Sequence, residues 1–93
     1  MNASLQAIKV FEAAARLGSF KDAAEELSIT PAGVSHHISN LENRLGVRLF
    51  NRKNRRVTLT SEGDQLSEAT TEGLQKIQTA LDNIKSDASR LHV

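Results

Sequence analysis

A mainly helical domain with a two-stranded hairpin after its third helix, continued by one long solitary helix, is the fold class this sequence predicts. Three observations carry that expectation. Two short helix-competent segments flank a compact turn, Ser28-Ile29-Thr30. Two β-capable runs, residues 47–50 and 57–60, bracket a stretch rich in Asn and Arg. Beyond residue 60, side chains suited to a helix seam return in alternating steps of four and three for about three repeats.

Each element has a local cause. A first helix is expected over residues 4–17, with Leu5, Ile8, Phe11 and Ala15 at helical spacing and Gly18 as a left-handed stop. Ser19 caps the second helix and pairs with Asp22 in a capping-box-like arrangement. In this helix Ala23 and Ala24 permit close helix approach, and Leu27 closes the small core. Thr30 supplies the N-cap oxygen of the third helix, and Pro31 takes the first helical position, where a missing N–H costs nothing. Val34, Ile38, Leu41 and Leu45 then share one face, and Ala32, Ser35, His36, Ser39 and Asn43 share the other. The helix-turn-helix motif spans residues 19–38, and the third helix ends at Gly46.

The hairpin occupies residues 47–60, with Asn51-Arg52-Lys53-Asn54-Arg55-Arg56 as a positive tip, and completes a winged domain over residues 1–60. A helix over residues 61–90 follows, capped by Thr60 or Ser61, with Glu62 and Asp64 in its first turn at the positive end of the dipole. Its seam is Thr70, Leu74, Ile77, Leu81, Ile84, Ala88 and Leu91. Roughly thirty residues make a helix about 45 Å long, which outruns so small a core. Homodimerisation through Leu74, Ile77, Leu81 and Ile84 is therefore expected in preference to packing back on the same domain, with Gly73 a weak or close-contact point.

Composition narrows the function. With 93 residues and 39% hydrophobic content, the chain can bury a modest core but no deep substrate cavity. It contains no cysteine, no apolar run of membrane-spanning length and no signal-peptide pattern, so a soluble, intracellular protein is expected. The net charge of +1 hides a dipolar distribution. Arg44, Arg48, Arg52, Lys53, Arg55 and Arg56 are six of the twelve basic residues, and no acid interrupts the segment 44–56. Alone, such a run reads as a solvated loop. Beside an acid-free helix face of small and hydrogen-bonding side chains, it reads as a phosphate-binding surface next to a base-reading one.

Catalytic and metal chemistry are not expected. His36 and His37 are adjacent, hence about 100° apart on a helix, and do not form an i, i+4 ligand pair. His92 is distant in sequence, and no carboxylate is placed to orient a Ser35–His36 pair as nucleophile and base. The alternative to DNA binding is a winged-helix module for protein interaction or dimerisation, which has no need of a basic wing and an acid-free face.

Ordered matches along essentially the whole chain resemble the LysR-type transcriptional regulators. They run through Phe11-Glu12-Ala13-Ala14-Ala15-Arg16, Ser19-Phe20, Ala23-Ala24-Glu25-Glu26-Leu27 and Thr30-Pro31-Ala32-Gly33-Val34-Ser35-His36-His37-Ile38. Leu41-Glu42, Leu45-Gly46, Leu49-Phe50, Arg52 and Leu59-Thr60-Ser61-Glu62-Gly63 continue in register. The resemblance implies the DNA-binding part of a longer bacterial regulator, whose small-molecule effector binds a C-terminal domain absent from this chain. No cofactor is expected here. It further implies antiparallel pairing of linker helices into dimers, tetramers in the full-length protein, and a cytoplasmic location, at the nucleoid when bound to DNA. The target implied is an interrupted inverted repeat in double-stranded promoter DNA.

Residue roles follow by position. Thr30 and Ser35 match positions that contact the DNA backbone or base edges, and Arg52 matches the wing arginine. Pro31, Ala32, His36 and Ser39 complete the expected groove contacts, and Lys53, Arg55 and Arg56 those of the wing. Pro31 stands where many relatives carry Gln, and Ala32 where many carry Pro, which favours apolar contact with a thymine methyl over a Gln-mediated reading of adenine. His36 stands where Arg is frequent, replacing a constitutive phosphate contact by a neutral or pH-dependent hydrogen bond.

Overall fold

The computed structural model describes residues 4–53 and 56–91; Asn54, Arg55 and His92 lie outside the described residues. The order is α1 (Leu5–Leu17), α2 (Phe20–Leu27), α3 (Pro31–Leu45), β1 (Phe50–Lys53), β2 (Arg56–Leu59) and α4 (Ser61–Leu91).

Local capping sets the first three helices. Ser4, Ser19 and Thr30 accept, through their side-chain oxygens, the backbone N–H groups of Ala7, Asp22 and Gly33. Each hydrogen bond satisfies a donor that the first helical turn would otherwise leave open. Gly18 and Gly46 end α1 and α3 in the left-handed region, at φ 64° and 72°. Ser28 ends α2 at φ 57°, a conformation that costs a non-glycine residue some strain. Its N–H bonds back to the carbonyls of Ala24 and Glu25, and Ile29 N–H donates to Ala24 O at 3.0 Å. The tight turn follows from that reversal.

Val10, Phe11, Ala13 and Ala14 of α1 meet Ala23 and Ala24 of α2, Val34, Ile38 and Leu41 of α3, and Leu49 and Phe50 at the entry to the hairpin. Phe50 links the layers: its ring lies 5.4 Å from that of Phe11 and 5.4 Å, edge on, from that of Phe20. Leu27 packs half-buried against this core.

Three expectations need correction. The first strand is Phe50–Lys53, not residues 47–50, and the second is Arg56–Leu59, with Phe50 opposite Leu59 and Lys53 opposite Arg56. The cause is Glu42, whose carbonyl accepts Gly46 and Val47 N–H and whose carboxylate accepts Leu49 and Phe50 N–H. The segment before Phe50 is thus committed to α3, and the ladder slides outward over the basic residues. Leu45 is 52% exposed, because the last turn of α3 runs past the core after Leu41 and Glu42. Leu5 is likewise 59% exposed, the buried residues of α1 being Ala7, Val10, Phe11, Ala13 and Ala14.

Thr60 caps α4, its Oγ1 accepting Gly63 N–H at 3.0 Å and its carbonyl accepting Asp64 N–H at 2.8 Å. A side chain at buried Gly63 would collide with the Leu49 carbonyl oxygen, so α4 starts pressed against the strand entry. Its 31 residues give a helix about 46 Å long. The whole chain measures 55 × 25 × 19 Å, so α4 sets the long axis.

Candidate nucleic-acid interface

The exposed side of α3 holds the residues expected to read DNA. Thr30, Pro31, Ala32 and His36 are exposed, and Ser35 and Ser39 are half-buried beside them. Val34, Ile38 and Leu41 hold the opposite side in the core. The Thr30 cap hydrogen bond, 3.0 Å long, consumes one acceptor site of its hydroxyl and fixes the first turn from which this face projects. Gly33 keeps that corner clear: a Cβ there would lie 3.2 Å from Thr30 Oγ1. The Asn40 amide donates to His36 Nε2 at 3.2 Å when the ring proton sits on Nδ1. The His37 ring stands 6.3 Å from that of His36 and tilts away at 64°.

The hairpin packs against the end of α1. Val57 N–H donates to Gly18 O at 3.3 Å, tying the return strand to the α1–α2 turn. Lys53 and Arg56 are exposed, opposite each other at the last described rung of the ladder. Arg52 differs from them. Its guanidinium carbon lies 5.1 Å over the Phe20 ring, and its Nη2 lies 3.4 Å from Glu42 Oε1. Arg55, the remaining expected wing contact, is among the residues not described.

Glu42 was not among the residues singled out by pattern. It is 6% exposed, with Arg48 Nη1 at 3.7 Å in addition to Arg52. A usable signal existed: Glu42 follows Ile38 by four residues, so an acid sits on the apolar face of α3 just before the basic block. Buried carboxylates require partners, and the nearby arginines supply them.

Of the expected dimer contacts, Leu74 is half-buried, while Ile77, Leu81 and Ile84 are 54%, 56% and 66% exposed. The seam begins inside the domain at buried Thr70 and runs out into solvent. At Gly73 a Cβ would meet nothing within 4 Å among the described residues. Among the described residues, no helix is long and apolar enough to cross a membrane.

Residues 5–64 match the family model described as "Bacterial regulatory helix-turn-helix protein, lysR family". The chain belongs to the LysR family. Among curated LysR-type relatives, the HTH-type transcriptional regulator PerR of Escherichia coli (strain K12) is 46% identical over 88 residues, covering 95% of this chain and 30% of that protein. The glycine cleavage system transcriptional activator of the same strain is 51% identical over 77 residues, covering 71% of this chain and 25% of the relative. This chain therefore spans less than a third of the length of these relatives. Among solved structures, the BenM DNA-binding domain in complex with catB site 1 DNA superposes with a TM-score of 0.84 at 31% identity, covering 92% of this chain and 96% of that one. A CbnR DNA-binding domain complexed with DNA superposes at 0.78 and 27% identity, covering 91% and 98%.

Proposed function

We propose that this chain is the DNA-reading part of a LysR-type transcriptional regulator, placing α3 in the major groove and the hairpin on flanking phosphates or the minor groove. The observation that carries the reading is the exposed, acid-free face of α3 together with the exposed cations of a hairpin whose first strand is tied to α3 through Glu42. Thr30, Pro31, Ala32, Ser35, His36 and Ser39 are its groove-side contacts, and Lys53, Arg55 and Arg56 supply wing charge. Ser35 and Ser39 read base edges or phosphates through hydroxyls, and Ala32 offers a methyl group to thymine. That structural neighbours of this chain are DNA-binding domains solved in complex with DNA supports the DNA-binding part of this reading. A pure protein-interaction module leaves the joint presence of these two surfaces unexplained.

The exposed α4 seam supports homodimerisation, which places two copies of α3 on one duplex and favours an inverted repeat as target. Pairing of dimers into tetramers, effector binding and signal transmission belong, on this reading, to the length that the relatives have and this chain does not span. The site of action is the bacterial cytoplasm, on nucleoid DNA, and the role is regulatory, not enzymatic.

Selection of bound duplexes from a random DNA pool tests the reading directly. An enriched half-site in inverted repeat, with affinity falling linearly on a log-log salt plot through counterion release, is the expected outcome. Negligible affinity for every duplex at low salt would sink it. Within the selected site, Ser35→Ala should reduce discrimination between half-sites by about 1–3 kcal/mol if the hydroxyl reads a base. Equal loss on selected and random DNA would assign Ser35 to the backbone instead.

A further inference from the structure

Glu42 sits where the third helix meets the entry to the hairpin. Its carbonyl terminates α3 by accepting Gly46 N–H at 2.8 Å and Val47 N–H at 3.3 Å. The carboxylate of the same residue then accepts Leu49 N–H at 2.8 Å and Phe50 N–H at 3.4 Å, so one side chain grips the chain as it enters β1. The other carboxylate oxygen faces Arg52 from β1 at 3.4 Å and Arg48 at 3.7 Å. Arg52 in turn lies over Phe20, the first residue of α2.

We propose that Glu42 and Arg52 form the positioning pair of the DNA interface, fixing the hairpin relative to α3 and acting on DNA through where Lys53 and Arg56 land. The inference rests on the reading that α3 and the hairpin grip the same duplex. Three features distinguish Arg52 from a phosphate ligand. Its charge is matched by a carboxylate that is 6% exposed, so leaving for a phosphate would remove the nearer of that buried anion's two cations and leave it with Arg48 at 3.7 Å and two backbone N–H groups. Its guanidinium carbon already lies 5.1 Å from the centre of the Phe20 ring, within cation–π range. It also belongs to the rung Arg52–Val57, one step nearer the core than Lys53–Arg56. Among the described residues no ion pair holds Lys53 or Arg56, which are the cations at liberty to meet DNA.

The sign of one substitution separates the two roles. Glu42→Gln removes a negative charge beside the wing and releases Arg52. If Arg52 were a DNA ligand restrained by Glu42, binding would tighten. If the pair is a positioning device, binding to the selected duplex weakens by about tenfold, and the preference over random duplex of equal length narrows. Gln keeps a side-chain acceptor for Leu49 N–H, so the fold is retained, and circular dichroism before each titration checks this.

The experiment compares wild type, Glu42→Gln, Arg52→Gln, the double variant and Lys53→Ala on both duplexes across a salt series. Expected are losses of about tenfold for each single variant of the pair and no greater loss for the double, because the two act as one unit. Lys53→Ala should instead lower the salt slope by about 1 on both duplexes. Tighter binding by Glu42→Gln, or an undiminished Arg52→Gln loss in the Glu42→Gln background with a slope lower by about 1, overturns the proposal.

A DNA-free measurement keeps this failure distinct from failure of the DNA-binding reading. Amide exchange at Leu49 and Phe50 should accelerate at least about tenfold in Glu42→Ala, while amides in the middle of α1 stay protected. Unchanged protection at Leu49 and Phe50 overturns the positioning role even if no duplex binds.

Discussion

The winged body and the long helix α4 use the same apolar spacing to opposite ends. In the body, Val34, Ile38 and Leu41 recur at steps of four and three and are at most 3% exposed. In α4, Ile77, Leu81 and Ile84 recur at the same steps and are all more than half exposed. The body satisfies its periodicity within one chain, because α1, α2 and the hairpin entry close around it. The helix leaves its periodicity unsatisfied, because none of the other described elements follows it into solvent. Helical spacing therefore reports that a face wants covering; the supply of neighbouring elements decides whether the cover comes from the same chain.

The strongest way to break this contrast is at the exposed seam. If α4 pairs two copies as proposed, Ile77→Asp with Leu81→Asp should leave a monomer, raising the dissociation constant by at least about a hundredfold, because charge without a partner is costly to bury. Sedimentation over a concentration series checks this, and the unfolding free energy of dilute, monomeric protein should change by no more than ordinary surface substitutions cause, about 0.5 kcal/mol each. A wild-type chain that sediments as a monomer at high micromolar concentration refutes the seam's role.

The converse variant acts on the body. Phe11 is fully buried against Phe50, and Phe11→Ala should destabilise the domain by about 3–5 kcal/mol. For a domain this small that lowers the thermal midpoint by at least about 12 °C. Association through α4 should survive wherever the body remains folded. Loss of less than about 1 kcal/mol would show that the buried cluster is not the body's main support.

A smaller effect sharpens the contrast within the body. Thr30→Ala removes the acceptor for Gly33 N–H and should cost about 1 kcal/mol, read by chemical denaturation. Thr30→Ser should recover most of it, since the capping oxygen returns.

The smallest effect is electrostatic. Arg16 bridges Glu12 on its own helix and Glu26 on α2, and its hydrogen bond holds the Glu26 carboxyl below the ordinary value of 4.5. A depressed folded-state pKa contributes stability that is present above the ordinary value and fades as the pH falls through the depressed one. The side chains are 47% and 42% exposed, so solvent screens the bridge and the effect is slight. Comparing the wild type with Glu26→Gln between pH 7 and pH 2 should show stabilities that converge at the acid end. A gap that widens on acidification would reverse the assigned sign.

What could be read from the chain in advance tracks the range of the interactions responsible. Ser19, Thr30, Pro31, Gly18 and Gly46 marked the helix ends because capping is settled within three or four residues. The outward shift of the first strand was hidden because Glu42 acts seven and eight residues ahead, on backbone N–H groups that carry no residue signature. Leu5 and Leu45 were misplaced for another reason. Periodicity assigns a face, but it does not report where the core stops along a helix. Among the interface residues, the exposed set on α3 followed from helical geometry alone, whereas the pairing of Arg52 with Phe20 and Glu42 needed three elements in place.

The close seat of Gly63 on the Leu49 carbonyl gives α4 a fixed azimuth as well as a fixed origin. Inserting one residue between Leu66 and Leu74 would swing the Ile77 seam about 100° around the axis while advancing it only about 1.5 Å. Inserting seven would return it to within about 20° of its bearing, about 10 Å farther out. Rotation and reach are thus separable in this helix, and it can be lengthened like a graduated rod, provided it is cut in whole heptads.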